Sequence, residues 1–312
     1  AAVLNGIASA GASFHLAVGD LSYGDLSPES AWCDFVKSKV GASFPFELVA
    51  GNHEDGGENP GGGLIDNFLT CLPNRISTMV GTYGKEYYFD YPETAPFARL
   101  IMLSPNLTYT YGGFYDYSQG TAHYNWVAST IDQARSAGIK WIVVGMHKTC
   151  ISMGPYPCNN MDGAGSAILN LLVSKKVDLI LQGHAHGYQR SKPLALNAAC
   201  PTIAINAHNS NCVFGVSAGG TYTKGNGSIV VVTAAGGDTL YDINPSDPEA
   251  GYFAAWMGNN SNPTFGFAKI TVSDSQLSAQ FIGTSRGNFS DSFSMVSAPT
   301  STPTRTPTRT PI

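Results

Sequence analysis

Short apolar runs alternate with amphipathic stretches along the first 180 or so residues, and many of the runs end at a glycine or a polar cluster. Because a strand that is covered on both faces is apolar throughout, this pattern predicts buried strands separated by helices. Helices are predicted at about residues 1–11, 29–39, 121–137 and 165–175. Strands are predicted at 14–18, 46–50, 86–91, 98–103, 141–145 and 177–181. Strands that alternate with helices indicate an α/β layered core.

After residue 200 the pattern changes to short strand-like runs at 229–233, 266–272 and 276–282, separated by turns rich in Gly, Asn and Ser. These runs predict a second sheet that completes the same domain. Residues 298–312 are rich in Pro and Thr and cannot bury a core, which is typical of an extended linker. We therefore expect one domain over residues 1–297, a linker over 298–312 and a further module or an anchor after the linker.

The composition excludes several classes of protein. Hydrophobic residues make up 43% of the 312 residues and the net charge is −5, without a Lys/Arg cluster in the predicted domain, so a nucleic-acid partner is not expected. The apolar runs are far shorter than the roughly 20 residues that a membrane span needs, which predicts a soluble protein. The chain starts at Ala1 without a signal-peptide pattern, so we expect residues upstream of it.

Six cysteines form an even set without a C-x-x-C pair, which favours disulfides over a zinc ribbon. Six cysteines allow 15 connectivities. The close pairs Cys150/Cys158 and Cys200/Cys212 each bracket a loop rich in Gly, Pro or Asn, which leaves Cys33 with Cys71 as the hypothesis. Disulfides predict an oxidising compartment and therefore a secreted, extracellular protein.

Four of the predicted strands are followed by side chains that can bind a metal ion, and loops at the carboxyl ends of such strands converge on one crevice. The segments read GDLSY, GNHE, VGMH and GHAH. A set of oxygen and imidazole ligands without thiolates suits iron, zinc or manganese. A carboxylate can bridge two ions, and two histidines two residues apart can each point to one of two ions about 3.5 to 4 Å apart. The candidate side chains are Asp20, Tyr23, Asn52, His53, His147, His184 and His186.

The order of these four segments resembles the calcineurin-like metallophosphoesterases, and the tyrosine of GDLSY is similar to that of purple acid phosphatases in particular. The resemblance spans about residues 14–295 and implies an α/β fold built as a two-sheet β-sandwich flanked by helices. It also implies a centre of two metal ions, iron together with zinc, manganese or a second iron.

The resemblance assigns a role to each candidate residue. Asp20 is the bridging carboxylate. Tyr23, as a phenolate, and His186 bind the ferric-type ion. The ligands of the second ion are Asn52, His147 and His184. His53 is the catalytic acid that protonates the leaving oxygen, and Glu54 is expected to orient its ring.

The chain departs from the family pattern at two places. The D-x-G strand that opens the family pattern is not part of this chain, so we expect the first site to lack one ligand. We also expect the isolated chain to bind at most about one metal ion, to show little activity and to aggregate. The loop after VGMH reads KTCISMGPYPC and lacks the histidines that face the substrate in purple acid phosphatases. His208 is an alternative donor, although a surface histidine is the favoured interpretation. His15 and His123 are predicted to be structural.

These observations predict an enzyme that hydrolyses phosphate monoesters by attack of a metal-bound hydroxide on a small-molecule ester. One alternative is a phosphodiesterase with the same site, and another is a secreted, wall-associated binding module without turnover. Taken one at a time, Asp20 and Asn52 are also typical turn residues and Tyr23 is a typical core residue. The whole set at four strand ends favours the enzyme, because a binding module has no physical reason to bury so many polar groups together.

Overall fold

The computed structural model describes residues 1–57, 61–76, 78–156, 158, 163–215 and 219–297. This part of the chain contains five α-helices and sixteen β-strands. The helices are α1 (Ala2–Ser9), α2 (Glu29–Val40), α3 (Ile65–Cys71), α4 (Ala122–Ser136) and α5 (Ser166–Ser174). The strands are β1 (His15–Val18), β2 (Phe46–Val49), β3 (Met79–Thr82), β4 (Glu86–Tyr91), β5 (Ala98–Leu103), β6 (Thr108–Tyr109), β7 (Gly113–Phe114), β8 (Trp141–Met146), β9 (Leu179–Gln182), β10 (Tyr188–Ser191), β11 (Thr221–Thr223), β12 (Ile229–Thr233), β13 (Phe253–Met257), β14 (Phe265–Val272), β15 (Gln276–Ser285) and β16 (Asp291–Val296).

Most of these strands belong to two sheets. The large sheet has eight strands in the order β13-β10-β12-β9-β8-β5-β4-β3, and its centre, β12-β9-β8-β5, is parallel. The small sheet has four strands in the order β11-β16-β15-β14. β1 and β2 form a separate parallel pair, and β6 and β7 form a short hairpin. The large sheet therefore has the parallel centre and antiparallel edges of a mixed α/β sheet.

The two faces of the large sheet contribute to two hydrophobic cores. On β8, Ile142 and Val144 belong to the core shared with the helices, whereas Trp141 and Val143 belong to the core shared with the small sheet. This alternation follows from the strand geometry, in which successive side chains point to opposite faces. The layers are therefore helices, large sheet and small sheet, which confirms the predicted α/β two-sheet sandwich flanked by helices.

The apolar pattern located many of the elements. The four predicted helices and the first six predicted strands are present, with ends that differ by no more than two residues. The assignment of 229–233 to the second sheet is wrong, because β12 pairs with β9 and β10 inside the large sheet. Its run of apolar residues is explained by burial on both faces. Helix α3 and several short strands were not predicted, and the predicted linker, 298–312, lies outside the described residues.

All three predicted disulfides are present, joining Cys33 to Cys71, Cys150 to Cys158 and Cys200 to Cys212. The first connects α2 to α3, and the other two close short loops. Among the described residues, no helix combines the length and the apolar character needed to cross a membrane.

Candidate metal centre

The predicted ligands come from loops that follow the carboxyl ends of β1, β2, β8 and β9. Asp20 lies two residues after β1, Asn52 three residues after β2, His147 directly after β8 and His184 two residues after β9. β1 is parallel to β2, and β8 is parallel to β9. Because parallel strands present their carboxyl ends on the same side, the four loops meet, as the sequence predicted.

Asp20, Asn52 and His184 each follow a glycine, and these glycines allow the loops to approach each other. A Cβ atom on Gly19 would lie 2.6 Å from the Gly51 backbone and 2.6 Å from Nδ1 of His147. A Cβ atom on Gly51 would collide with the Asp20 carboxylate. Gly19 also adopts a positive φ of 88°, which favours glycine. Any larger residue at either position would push the loops apart.

One group of side chains converges on Nε2 of His147. This atom lies 2.9 Å from Oδ1 of Asn52, 3.1 Å from Oδ2 of Asp20 and 3.2 Å from Nδ1 of His184. All four residues are nearly buried. The four side chains thus direct atoms with lone pairs toward one another. Because lone pairs repel each other, a proton or a cation between these atoms stabilises the arrangement.

A second group lies on the other side of Asp20. The Tyr23 hydroxyl lies 3.2 Å from Oδ2 of Asp20 and 2.8 Å from Nε2 of His186. The same carboxylate oxygen therefore contacts both groups. The structure brings the six predicted ligands together. Asp20 forms a group of four with Asn52, His147 and His184, and a group of three with Tyr23 and His186. The assignment of these groups to two ions stays a prediction.

Hydrogen bonds from the far side of two rings fix their tautomers. Nδ1 of His147 lies 2.8 Å from the Val18 carbonyl oxygen, and Nδ1 of His186 lies 2.7 Å from the Thr239 carbonyl oxygen. Because a carbonyl oxygen can only accept, both Nδ1 atoms carry the proton, which leaves the lone pair of Nε2 facing the cluster. This arrangement is typical of histidines that bind metals.

The cluster favours positive charge. Burial lowers the pKa of His147, but the charge of Asp20 opposes this and leaves the pKa above its ordinary value. Burial raises the pKa of Asp20, but the charges of His147 and His53 outweigh burial and lower it. Burial and the charge of His147 lower the pKa of His184 to about 3. The negative charge of Asp20 favours the protonated form of His147, and the same charge favours a bound metal cation.

The donor chemistry fits the implied metal ions. The side chains supply a carboxylate, an amide oxygen, a phenol and three imidazoles, a set that suits iron, zinc or manganese. Asp20, His147 and His184 offer ligand atoms that all lie within 4.8 Å of one another. Nε2 of His184 is buried and has no hydrogen-bond partner among the described residues. These side chains can therefore serve as the protein ligands of one or two metal ions.

His53 lies beside this cluster. Its backbone N–H donates to Oδ1 of Asp20 at 3.2 Å, and its half-buried ring lies 4.3 Å from the Tyr23 ring, measured between centroids. Its place at the rim is compatible with the predicted role as an acid. Its assignment stays a prediction.

The expected role of Glu54 was wrong. Its carboxylate accepts hydrogen bonds from three backbone N–H groups, those of Asp20 at 2.9 Å, Gly51 at 3.0 Å and Leu21 at 2.7 Å, and does not orient the His53 ring. Glu54 is fully buried, and burial together with the charge of Asp20 raises its pKa. The spacing resembles a capping box, in which a glutamate bonds the backbone N–H three residues earlier. That signal in GNHE could have identified the role.

The remaining histidines contact other parts of the fold. His15 lies 4.6 Å from Phe46, measured between ring centroids. His123 bonds Glu86 at 3.0 Å, and His208 packs on Tyr252 at 4.8 Å. His208 therefore belongs to a packing contact away from the cluster, as the favoured interpretation predicted.

Two tyrosines that were not predicted lie against the cluster. The Tyr241 ring stacks on His186 at 4.2 Å and is parallel to it within 3°. The Tyr156 ring lies 4.6 Å from the His184 ring. Tyr156 belongs to the loop that the Cys150–Cys158 disulfide closes. Single tyrosines in a chain with 15 of them give no distinguishing sequence signal.

Glu249 anchors the Tyr156 loop and should make the stability of the protein depend on pH. It accepts from the backbone N–H groups of Ser152 and Asn206, both at 2.8 Å. Burial raises its pKa from 4.5 to about 7, and the charge of Asp247 adds to the effect. The folded state then binds more protons than the unfolded state between these two values, so stability falls as pH rises through this window, by up to about 3 kcal/mol.

Denaturant unfolding of the Glu249→Gln variant checks this expectation. The loss of stability of the wild-type protein between pH 4.5 and pH 8 should be smaller in the variant by about the same amount. Equal pH dependence in both proteins would show that Glu249 is not responsible.

Comparison with known proteins agrees with the resemblance that the sequence motifs carry. The model of the calcineurin-like phosphoesterase family matches residues 1–188, more than half of the chain. Purple acid phosphatase 1 of Ipomoea batatas is 30% identical over 205 residues, which cover 63% of this chain and 39% of that protein. The Fe(3+)-Zn(2+) purple acid phosphatase 12 of Arabidopsis thaliana is 29% identical over 205 residues, covering 63% and 40%.

The fold is also similar to that of a solved structure. The yellow lupin purple acid phosphatase PPD1 superimposes with a TM-score of 0.63 at 19% identity, covering 94% of this chain and 49% of that chain. The chain thus spans between about two fifths and one half of the length of these three proteins.

Proposed function

Because this chain belongs to the calcineurin-like phosphoesterase family, we propose that it is a secreted, metal-dependent enzyme that hydrolyses phosphate monoesters at the cluster around Asp20. The observation that carries the proposal is the shared carboxylate: Oδ2 of Asp20 contacts both His147 at 3.1 Å and Tyr23 at 3.2 Å. Two ligand groups that share one carboxylate are what a two-metal hydrolase requires. The three disulfides support secretion.

The residues would divide the metal ions between them as follows. Asn52, His147 and His184 would hold one ion, Tyr23 and His186 the other, and Asp20 both. When bound, the ions would polarise the phosphoryl group and lower the pKa of a water molecule, which is the chemistry that metal ions supply to phosphate ester hydrolysis. The similarity to an iron-zinc purple acid phosphatase supports iron as one of the two ions.

The chain itself would position the substrate and move the proton. The backbone carbonyl oxygens of Val18 and Thr239 hold two of the ligand rings, so the ligands are oriented before a substrate arrives. His53 at the rim of the cluster would donate a proton to the leaving oxygen. That proton makes the departing alkoxide a neutral alcohol, which matters most for poor leaving groups.

Replacement of His53 tests the acid role. The variant His53→Ala should bind metal as the wild type does and lower kcat by about 100- to 10,000-fold for alkyl phosphates, the range typical of general acid catalysis. The loss should be much smaller for aryl phosphates with good leaving groups, because they need no proton. An equal loss for both classes of ester would contradict the assignment.

Replacement of Tyr23 tests whether one of the two ions is ferric iron bound by this residue. Burial and the nearby charge of Asp20 raise the pKa of Tyr23 far above its ordinary value, so only a strong cation would hold it as a phenolate. Protein loaded with ferric iron should therefore show a visible charge-transfer absorption band that the Tyr23→Phe variant lacks. A colourless, fully active iron enzyme would show that Tyr23 is not a ligand.

Ester hydrolysis tests the proposal as a whole. An aryl phosphate monoester should be hydrolysed by the metal-loaded full-length protein, and a bis-aryl phosphate diester should be hydrolysed more slowly. A preference for the diester would indicate a phosphodiesterase with the same site. Tight metal binding without turnover of either ester would indicate a binding module.

A further inference from the structure

Tyr156 and Tyr241 form a pair beside the metal cluster. Their rings lie against His184 and His186 respectively, and their ring centroids are 5.5 Å apart. Both side chains are partly exposed. The pair therefore borders both groups of candidate ligands and remains accessible to a molecule that enters the site.

The two hydroxyl oxygens are 3.5 Å apart, and among the described residues each hydroxyl has only the other as its hydrogen-bond partner. This distance is at the long limit for a hydrogen bond between hydroxyl groups, for which about 2.7 Å is usual. Both groups therefore keep donor capacity. One acceptor oxygen placed about 2.7 Å from each hydroxyl would receive two hydrogen bonds.

Backbone hydrogen bonds fix the pair to the cluster and to each other. The Tyr241 N–H donates to the His186 carbonyl oxygen at 2.8 Å. The Asn244 N–H donates to the Met153 carbonyl oxygen at 2.8 Å, which connects the segment that carries Tyr241 to the loop that carries Tyr156. The two segments that carry the hydroxyls are therefore connected before any ligand binds, and a preorganised pair of donors binds more tightly than a mobile one.

We propose that Tyr156 and Tyr241 form a phosphoryl clamp, in which both hydroxyls donate to one oxygen of the substrate phosphate. The inference rests on the proposed function and adds the residues that recognise the phosphate group. Because the clamp binds the phosphoryl group and not the leaving group, it should act equally on aryl and alkyl monoesters and on inorganic phosphate.

The variants Tyr156→Phe and Tyr241→Phe remove only the hydroxyl and keep the ring that packs on the histidine. For each, the Kd of inorganic phosphate, measured by calorimetry on the metal-loaded full-length protein, should rise about 10- to 100-fold, as expected for the loss of a hydrogen bond to a charged group. kcat/KM should fall by a similar factor for aryl and alkyl esters alike. The metal content should not change.

The double variant tests whether the hydroxyls share one oxygen. If they do, the effects of the two substitutions should not be additive, because each hydroxyl depends on the same bound atom. Tyr111→Phe is the matched control, since Tyr111 is 75% exposed on the β6–β7 hairpin. This variant should bind phosphate as the wild type does.

The outcomes separate this inference from the proposed function. Wild-type hydrolysis with unchanged phosphate affinity in both Phe variants would overturn the clamp and leave the proposed function intact. Loss of metal from the Phe variants would also overturn it, because the hydroxyls would then act on the ligands. A metal-loaded wild type that neither binds phosphate nor hydrolyses esters would overturn both.

Discussion

The variant His147→Ala should lose its bound metal and its phosphatase activity together. Nε2 of His147 lies within 3.2 Å of Asp20, Asn52 and His184, and among the described residues no other side chain contacts as many of the candidate ligands. Metal ions contribute several kcal/mol to transition-state stabilisation. We therefore expect kcat/KM to fall at least about 1,000-fold, and elemental analysis to show at least one ion fewer per chain.

His208→Ala is the matched control, because His208 is an exposed histidine that packs on Tyr252. It should keep the metal content and the activity of the wild type. Full metal occupancy in the His147 variant would show that this residue is not a ligand and that the cluster has another role.

The variant Glu54→Ala should be the most destabilising of the single substitutions considered. Its fully buried carboxylate accepts from three backbone N–H groups, and all three would lose their acceptor. Since each buried unsatisfied donor costs about 1 to 3 kcal/mol, we expect the free energy of unfolding to fall by about 3 to 5 kcal/mol. The Asp20 loop would also lose its support, so metal affinity should fall about 10- to 100-fold.

Glu54→Gln keeps one acceptor oxygen and should lose less stability than Glu54→Ala. Glu93→Ala removes an exposed glutamate and should change the free energy of unfolding by less than about 0.5 kcal/mol. Denaturant unfolding monitored by circular dichroism would measure all three variants. Stability of Glu54→Ala equal to that of Glu93→Ala would contradict the role assigned to the buried carboxylate.

The parts of the fold that the sequence predicts well are those with a strong periodic signal. The strands β5 and β8 are apolar in nearly every position because both faces are covered, and the cysteine spacing was sufficient to propose all three disulfides. The six candidate ligands were found because each follows a glycine or a strand end in a short motif. Local sequence patterns therefore identify functional residues that lie shortly after the end of a strand.

Other features depend on residues far apart in the chain and left no local pattern. β10 reads Tyr-Gln-Arg-Ser yet is buried throughout, since its polar groups find distant partners, such as Asp291 for Arg190 and the Val230 N–H for Ser191. The approach of Tyr156 to Tyr241 joins loops 85 residues apart. Sequence reasoning at short range cannot find such partners.

Hydrolysis of an aryl phosphate monoester by the full-length protein during titration with zinc or iron, after removal of metal by a chelator, tests the central claim most directly. We predict that activity is absent in the chelator and rises with added metal. The rise should saturate at a fixed ratio of metal to chain. Activity that persists undiminished in the chelator, or protein that binds the metal and remains inactive, would contradict the assignment of the Asp20 cluster as a metal-dependent phosphatase site.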